Sequence, residues 1–174
     1  MEAKHLIYEH RNKLYTLCLY LERNTFYADE LFQDTWVKAI EHMASYNRNE
    51  AFYPWLSQIA VNLYRDRLRR LKRELKLILW SNEEHTYITK DNLDLEANLL
   101  KNEQYKLLRH CLCKLDDKYK LPIVLVYQEN LSYAEISRIL DLKESTVKSR
   151  IYDGKQRLKK MLEKEGFCDI SGIR

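Results

Sequence analysis

A basic stretch near the carboxyl end of this 174-residue sequence could bind nucleic acid. Residues 143–160 contain seven Lys or Arg side chains and two acidic ones, although the whole chain carries a formal charge of only +4. Such a local excess attracts backbone phosphates and is an electrostatic mark of nucleic-acid binding, whereas a solvated basic helix is the alternative. The side chains placed to touch bases or phosphates are Ser145, Lys148, Ser149, Arg150, Tyr152 and Lys155.

A second basic stretch has a different setting. Residues 65–76 carry seven basic and two acidic side chains, and the aromatic residues Phe52, Tyr53 and Trp55 lie just upstream. Aromatic rings beside a basic track suit single-stranded nucleic acid, and the polar loop 45–50 offers donors and acceptors to an unstacked base. Core packing of the rings and a plain solvent loop are the alternatives.

An acidic stretch separates the chain's first apolar segment from these basic ones. Residues 22–34 hold four acidic side chains and one basic one. Such a surface repels DNA, so it predicts docking onto a basic protein partner, with a solvated face as the alternative.

Other chemistry finds little support in the composition. Three glycines exclude both glycine-rich nucleotide loops, and the four cysteines lack C-x-x-C spacing. His110 and Cys113 share a helical face without further ligands, so core packing by Cys111 and chance are favoured over a metal site. We therefore expect no cofactor, no metal and no enzymatic activity. The longest apolar runs, of eight residues, fall short of the roughly 20 that span a bilayer, which predicts no membrane insertion. The sparse cysteines are expected to be reduced thiols, which predicts a cytoplasmic protein.

The elements that position these residues are predicted to be helices, because three glycines and two prolines provide few turns. Apolar spacing predicts helices over 6–21, over 28–43 after a cap at Asn24, from 52 into the basic stretch, and over 100–115. Ile40 and Met43 belong to the predicted apolar stripe of the second helix.

The carboxyl end predicts a helix-turn-helix. Ser132 and Glu135 form a capping box, a short helix follows to about 140, and a break at 141–143 precedes a helix over 144–161. Pro122 either starts the preceding helix or kinks one that began earlier. Between the halves, residues 81–100 hold five acidic side chains and one basic one without helical rhythm. They predict an acidic linker, with domains at 1–79 and 101–174 around a linker at 80–100.

The order of these parts resembles a small bacterial RNA polymerase sigma factor of the extracytoplasmic-function type. The two sets of motifs follow the family's order and cover most of the chain. The segments that resemble region 2 of the family are DELFQDTW at 29–36, FYPWLSQIAVNL at 52–63 and DRLRR at 66–70. The segments that resemble region 4 are LSYAEI at 131–136, TVKSR at 146–150 and RL at 157–158.

The resemblance implies an all-α chain in which a region 2 bundle and a region 4 helix-turn-helix are joined by the acidic linker. It also implies a factor that binds core RNA polymerase, directs promoter-specific initiation on duplex and melted DNA, and has an anti-sigma partner. The implied sites are Asp29, Glu30, Gln33 and Asp34 for the polymerase clamp; Tyr46, Asn47, Arg48, Asn49, Asn62, Arg65, Arg69 and Arg70 for the minus-ten element; and Ser145, Thr146, Lys148, Ser149, Arg150, Tyr152 and Lys155 for the minus-thirty-five element.

Several positions depart from the family pattern. Asn130 and Asp141 stand where glycine is usual, and both tolerate similar backbone angles. Tyr64 and Arg65 replace apolar residues, which leaves the orientation of that DNA-facing surface open. Gly154 lies inside the recognition helix, where it costs roughly 1 kcal/mol of helix propensity. A free-standing helix-turn-helix regulator that acts without polymerase is the alternative function.

Overall fold

The computed structural model describes residues 2–22, 24–81 and 103–166, and these contain α-helices and no strand. The all-α prediction is therefore confirmed. The predicted acidic linker lies almost entirely outside the described residues. The α-helices are α1 (Glu2–Leu21), α2 (Thr25–Glu41), α3 (Phe52–Ser81), α4 (Glu103–Lys114), α5 (Asp117–Ile123), α6 (Tyr133–Leu140) and α7 (Glu144–Lys164), with a 3₁₀ turn at Met43–Ser45 and a π-helical turn at Val124–Gln128.

The first three helices pack against one another around a leucine-rich core. The predicted cap of α2 is confirmed, because the Asn24 side chain accepts a hydrogen bond from the Tyr27 amide. Pro54 lies in the first turn of α3, where its missing N–H is not needed. The predicted apolar stripe of α2 is wrong at one position: Ile40 is 57% exposed, whereas Leu31 is buried.

The remaining helices form the carboxyl-terminal half. Pro122 does not start a helix, because α5 begins at Asp117 under the Asp116 cap and contains the proline. The chain then continues as the π-helical turn. The helix-turn-helix is confirmed: Ser132 and Glu135 make the reciprocal capping box, and Asp141 takes a left-handed conformation at φ 53°. Asn130 does the same at φ 55°.

Gly154 has a packing role that its position in the sequence does not reveal. A Cβ built at Gly154 would lie 2.7 Å from Ile123 Cδ1 and 3.0 Å from Tyr119 Cβ. A side chain at 154 would therefore require the Ile123 side chain to move and Tyr119 of α5 to shift by a few tenths of an ångström. The glycine exchanges helix propensity for this contact.

We expect Gly154→Val to lower the free energy of unfolding by about 2 kcal/mol or more, because overpacking a tight contact adds strain. Urea unfolding followed by circular dichroism measures the change. Gln156→Val, at an exposed position of the same helix, places a valine on α7 without the contact to α5, and because valine has a higher helix propensity than glycine, propensity does not explain a loss in Gly154→Val. Equal losses in the two variants would contradict the packing role.

Candidate nucleic-acid and polymerase interfaces

The recognition helix α7 presents one exposed face. Its residues advance about 100° each, so five of the seven predicted contacts share that face, and buried Val147 and Ile151 hold the opposite side. Thr146 and Arg150 lie to the side of this face and are half-buried. The five that share the face are Ser145, Lys148, Ser149, Tyr152 and Lys155.

Neighbouring tyrosines orient two of these lysines. Lys155 Nζ donates to Tyr127 Oη at 3.1 Å, and Lys148 Nζ lies 5.6 Å from the centre of the Tyr133 ring. Tyr152 is 66% exposed. The face thus offers cations, hydroxyls and an aromatic ring to an approaching duplex, a combination that can bind both phosphates and base edges.

The loop before α3 is built around an aromatic cluster. Tyr46 lies 5.3 Å from Phe52 and 5.0 Å from Trp55, measured between ring centres, and its hydroxyl donates to the Glu50 carbonyl. The Asn47 side chain accepts from the Asn49 amide at 3.1 Å. The loop therefore has a defined shape, with exposed polar side chains at Asn47, Arg48 and Asn49.

Helix α3 divides its basic side chains between two directions. Asn62, Arg65 and Arg69 share one side by helical spacing, and Arg70 lies next to them. Arg67 points elsewhere: its guanidinium lies 3.4 Å from Glu30 and 3.8 Å from Asp34. The basic stretch predicted over 65–76 is therefore not one surface, because Arg67 belongs to the acidic side of α2.

The acidic surface of α2 is exposed and is organised by Arg67. Asp29, Glu30, Gln33 and Asp34 are all exposed. The Arg67 guanidinium also donates to Glu22 at 3.1 Å. Burial raises the pKa of the Glu22 carboxyl above its usual value, and Arg67 opposes that shift. The sequence analysis does not predict this role of Arg67. Helical spacing places Arg67 on a different side of α3 from Asn62, Arg65 and Arg69, and this difference could have indicated a separate role.

Tyr64 lies away from the exposed side of α3. It is 4% exposed, and its hydroxyl donates to Asp117 Oδ1 at 2.6 Å and accepts from Lys120 Nζ at 2.6 Å. Its departure from the family pattern therefore serves a contact with α5.

The described residues contain no group of three metal-ligating side chains. Cys111 is buried in a core cluster with Leu112, which confirms the core-packing prediction for this residue. Within the described ranges, no helix is long and apolar enough to cross a membrane.

Comparisons with known proteins match both halves of the chain. The sigma-70 region 2 family matches residues 6–74, and the sigma-70 region 4 family matches residues 105–158. The chain is 32% identical over 158 residues to the ECF RNA polymerase sigma factor SigW of Bacillus subtilis, covering 88% of this chain and 84% of SigW. It is 28% identical to SigM of the same organism, covering 85% of this chain and 87% of SigM.

Solved structures share the fold. The sigma factor RpoE of Bartonella quintana, solved with the anti-sigma factor NepR, has a TM-score of 0.73 at 22% identity over 92% of this chain and 96% of that one. CnrH, solved with the cytosolic domain of CnrY, has a TM-score of 0.64 at 23% identity over 92% of this chain and 87% of that one.

The two regions define a sigma-70-type initiation factor. The chain belongs to the extracytoplasmic-function family of RNA polymerase sigma factors, and it therefore acts in promoter-specific transcription initiation.

Proposed function

We propose that three surfaces of this chain bind three different partners. The acidic face of α2 docks on core RNA polymerase. The loop 46–50 and the exposed side of α3 bind the melted minus-ten element, and the exposed face of α7 binds the minus-thirty-five duplex. The domain limits 1–79 and 101–174, around a linker at 80–100, belong to this proposal. The chain has no catalytic activity of its own and acts in the cytoplasm.

One observation carries the proposal: the acidic surface of α2 is separate from the basic face of α7. Glu30 and Asp34 project from α2, whereas Lys148 and Tyr152 project from α7, an element without a substantial contact with α2. Charge complementarity determines which partner binds which surface, because polyanionic DNA is attracted to the basic surfaces and a basic protein is attracted to the acidic one.

Regulation by an anti-sigma protein is part of the proposal. RpoE of Bartonella quintana was solved with the anti-sigma factor NepR, and its fold is shared over 92% of this chain. We expect a comparable partner to compete with polymerase for this chain.

Polymerase docking is tested by mixing the full chain with purified core RNA polymerase and separating the mixture by gel filtration. Co-elution with the enzyme supports the proposal. A free-standing helix-turn-helix regulator would instead elute alone and bind its duplex tightly without polymerase, and that result would overturn the proposal.

Lys148→Ala is expected to weaken upstream duplex binding by about tenfold, which lies in the range of about 1–3 kcal/mol for a base contact. A phosphate contact would also lower the salt slope by roughly 1. Arg150→Ala should weaken binding less, because Arg150 lies beside the face. Fluorescence anisotropy on DNA from upstream of the chain's own gene measures both, with Lys164→Ala in the last turn of α7 as control. Unchanged affinity and slope in Lys148→Ala would refute the assignment.

A further inference from the structure

The residues of α7 that point directly away from the protein core form a strip without positive charge. The buried stripe of the helix contains Val147 and Ile151. At about 100° per residue, Ser145, Ser149 and Asp153 lie within about 40° of the direction opposite that stripe. All three are exposed. When such a helix lies in the major groove, this central strip faces the base edges and the two edges of the helix face the phosphates.

Cations of α7 lie at both edges of the central strip. Lys148 and Lys155 lie at one edge, where each contacts the ring of a tyrosine from a neighbouring element. At the other edge, the Arg157 guanidinium lies 4.8 Å from the centre of the Tyr119 ring. These tyrosines hold the cations beside the strip, where the phosphates of a bound duplex would pass.

Asp153 is the acidic member of the central strip. Among the described residues, no Lys or Arg makes an ion pair with its carboxylate, although Arg150 and Arg157 are three and four residues away along the helix. A carboxylate that faces a polyanion is unfavourable unless the duplex offers it a hydrogen-bond donor. The position of Asp153 therefore suits a donor on a base edge.

The chemistry of the major groove narrows the choice of base. An ionised carboxylate only accepts hydrogen bonds, and the donors in the groove are the amino groups at cytosine N4 and adenine N6. Adenine also presents the acceptor N7 beside its amino group, and N7 repels the second carboxylate oxygen. Cytosine presents the amino donor alone, so it is the better partner of an aspartate.

The length of the central strip fits the groove. From Ser145 to Asp153 the helix rises about 12 Å at 1.5 Å per residue, and the major groove is about 12 Å wide. Asp153 can therefore reach the base edges together with the two serines. A serine hydroxyl both donates and accepts, so the serines discriminate between bases less sharply than the carboxylate.

We propose that Asp153 is a specificity-determining residue of α7, whose carboxylate accepts a hydrogen bond from N4 of a cytosine while the cations at the edges of the helix bind phosphates. The inference rests on the proposed function, in which α7 binds duplex DNA. It adds a base preference to that function and assigns it to one side chain.

The test selects duplexes from a library with a random central segment, using the full chain assembled with core RNA polymerase. Sequencing of the bound fraction gives the base preference at each position. Asp153→Asn keeps the size of the side chain, and asparagine makes a bidentate pair with adenine N6 and N7. We expect the preference at one position to change from cytosine to adenine by at least about fivefold. Asp153→Ala should lose the preference at that position alone.

Two controls separate base recognition from charge. Arg157→Ala removes a cation from the edge of the strip, so it should weaken binding to all sequences about equally and leave the selected motif unchanged. Glu163→Gln removes a negative charge from an exposed position about 15 Å further along α7 and should change no base preference. Circular dichroism confirms that all variants keep the helix content of the wild type.

Unchanged base preferences in both Asp153 variants would overturn the inference. An equal gain in affinity for all sequences would also overturn it, because Asp153 would then act only by repelling phosphates. A motif selected independently of Asp153 leaves the proposed function standing. A wild-type complex that selects no motif refutes the assignment of α7 to duplex DNA, and the inference fails with it.

Failure to form a complex with polymerase refutes the docking part of the proposed function. The same selection with the chain alone then decides whether Asp153 determines the base, since a cytosine preference lost in Asp153→Ala supports the inference and an unchanged preference overturns it.

Discussion

Replacing Glu30 and Asp34 with lysine is expected to weaken binding to core RNA polymerase by about tenfold or more, since placing like charges together at an interface costs several kcal/mol. Both carboxylates lie on the exposed surface of α2. They are paired only loosely with Arg67, at 3.4 and 3.8 Å, and remain available to a basic partner. Titration of labelled chain with core polymerase measures the loss.

The contacts of Arg67 with Glu30 and Asp34 require a control in that experiment. New lysines beside Arg67 introduce repulsion within the chain, so the neutral pair Glu30→Gln and Asp34→Asn is measured alongside and should give a smaller loss in the same direction. Glu163→Lys with Glu165→Lys makes the same charge change at exposed positions near the end of α7. Duplex binding by the α2 variants should be unchanged. Loss of both activities would mean that the fold had been damaged.

Open-complex formation is expected to fall by about tenfold or more when Arg65 and Arg69 are both replaced by alanine, because two contacts to the melted strand disappear. The salt slope should fall by about 1.4, at about 0.7 per phosphate neutralised on a single strand. Polymerase-bound complexes on the chain's own upstream DNA, challenged with heparin, provide the measurement.

The test of Arg65 and Arg69 needs a defined starting complex and a charge-matched control. Arg65 also donates to the Leu140 carbonyl oxygen at 3.5 Å, so its replacement removes a contact between α3 and α6, and the assay must begin from the assembled polymerase complex. Lys106→Ala with Lys114→Ala removes the same charge from exposed positions on α4. If these controls reduce open complexes as strongly as the α3 variant, the effect is one of net charge and the assignment of α3 fails.

Local chemistry made much of the fold predictable. The capping box at Ser132 and Glu135, the cap at Asn24 and the left-handed Asp141 each act over a few residues, so the sequence order alone predicts them. Apolar periodicity placed the helices for the same reason. Five of the seven contacts predicted on α7 follow from that periodicity, because an exposed face is what remains after the buried stripe is assigned, whereas Thr146 and Arg150 lie beside this face.

Contacts between distant segments were not predictable in this way. In the sequence, Tyr64 is an unexplained departure from the family pattern, and the structure explains it by contacts with Asp117 and Lys120. Gly154 lowers helix propensity in the sequence, and the structure shows that it allows α5 to pack closely against α7. The sequence does not distinguish Arg67 from its basic neighbours, whereas the structure pairs it with carboxylates of α2. Each of these side chains is explained by a partner on another helix, and one sequence does not encode that pairing in any local pattern.

Transcription from promoter DNA tests the central claim most directly. Purified core RNA polymerase is supplied with DNA from upstream of the chain's own gene, with and without the full chain. The sigma-factor assignment predicts a transcript with one defined start site that appears only when the chain is added. Specific duplex binding by the chain alone, with neither a complex with core polymerase nor a defined transcript, would contradict it.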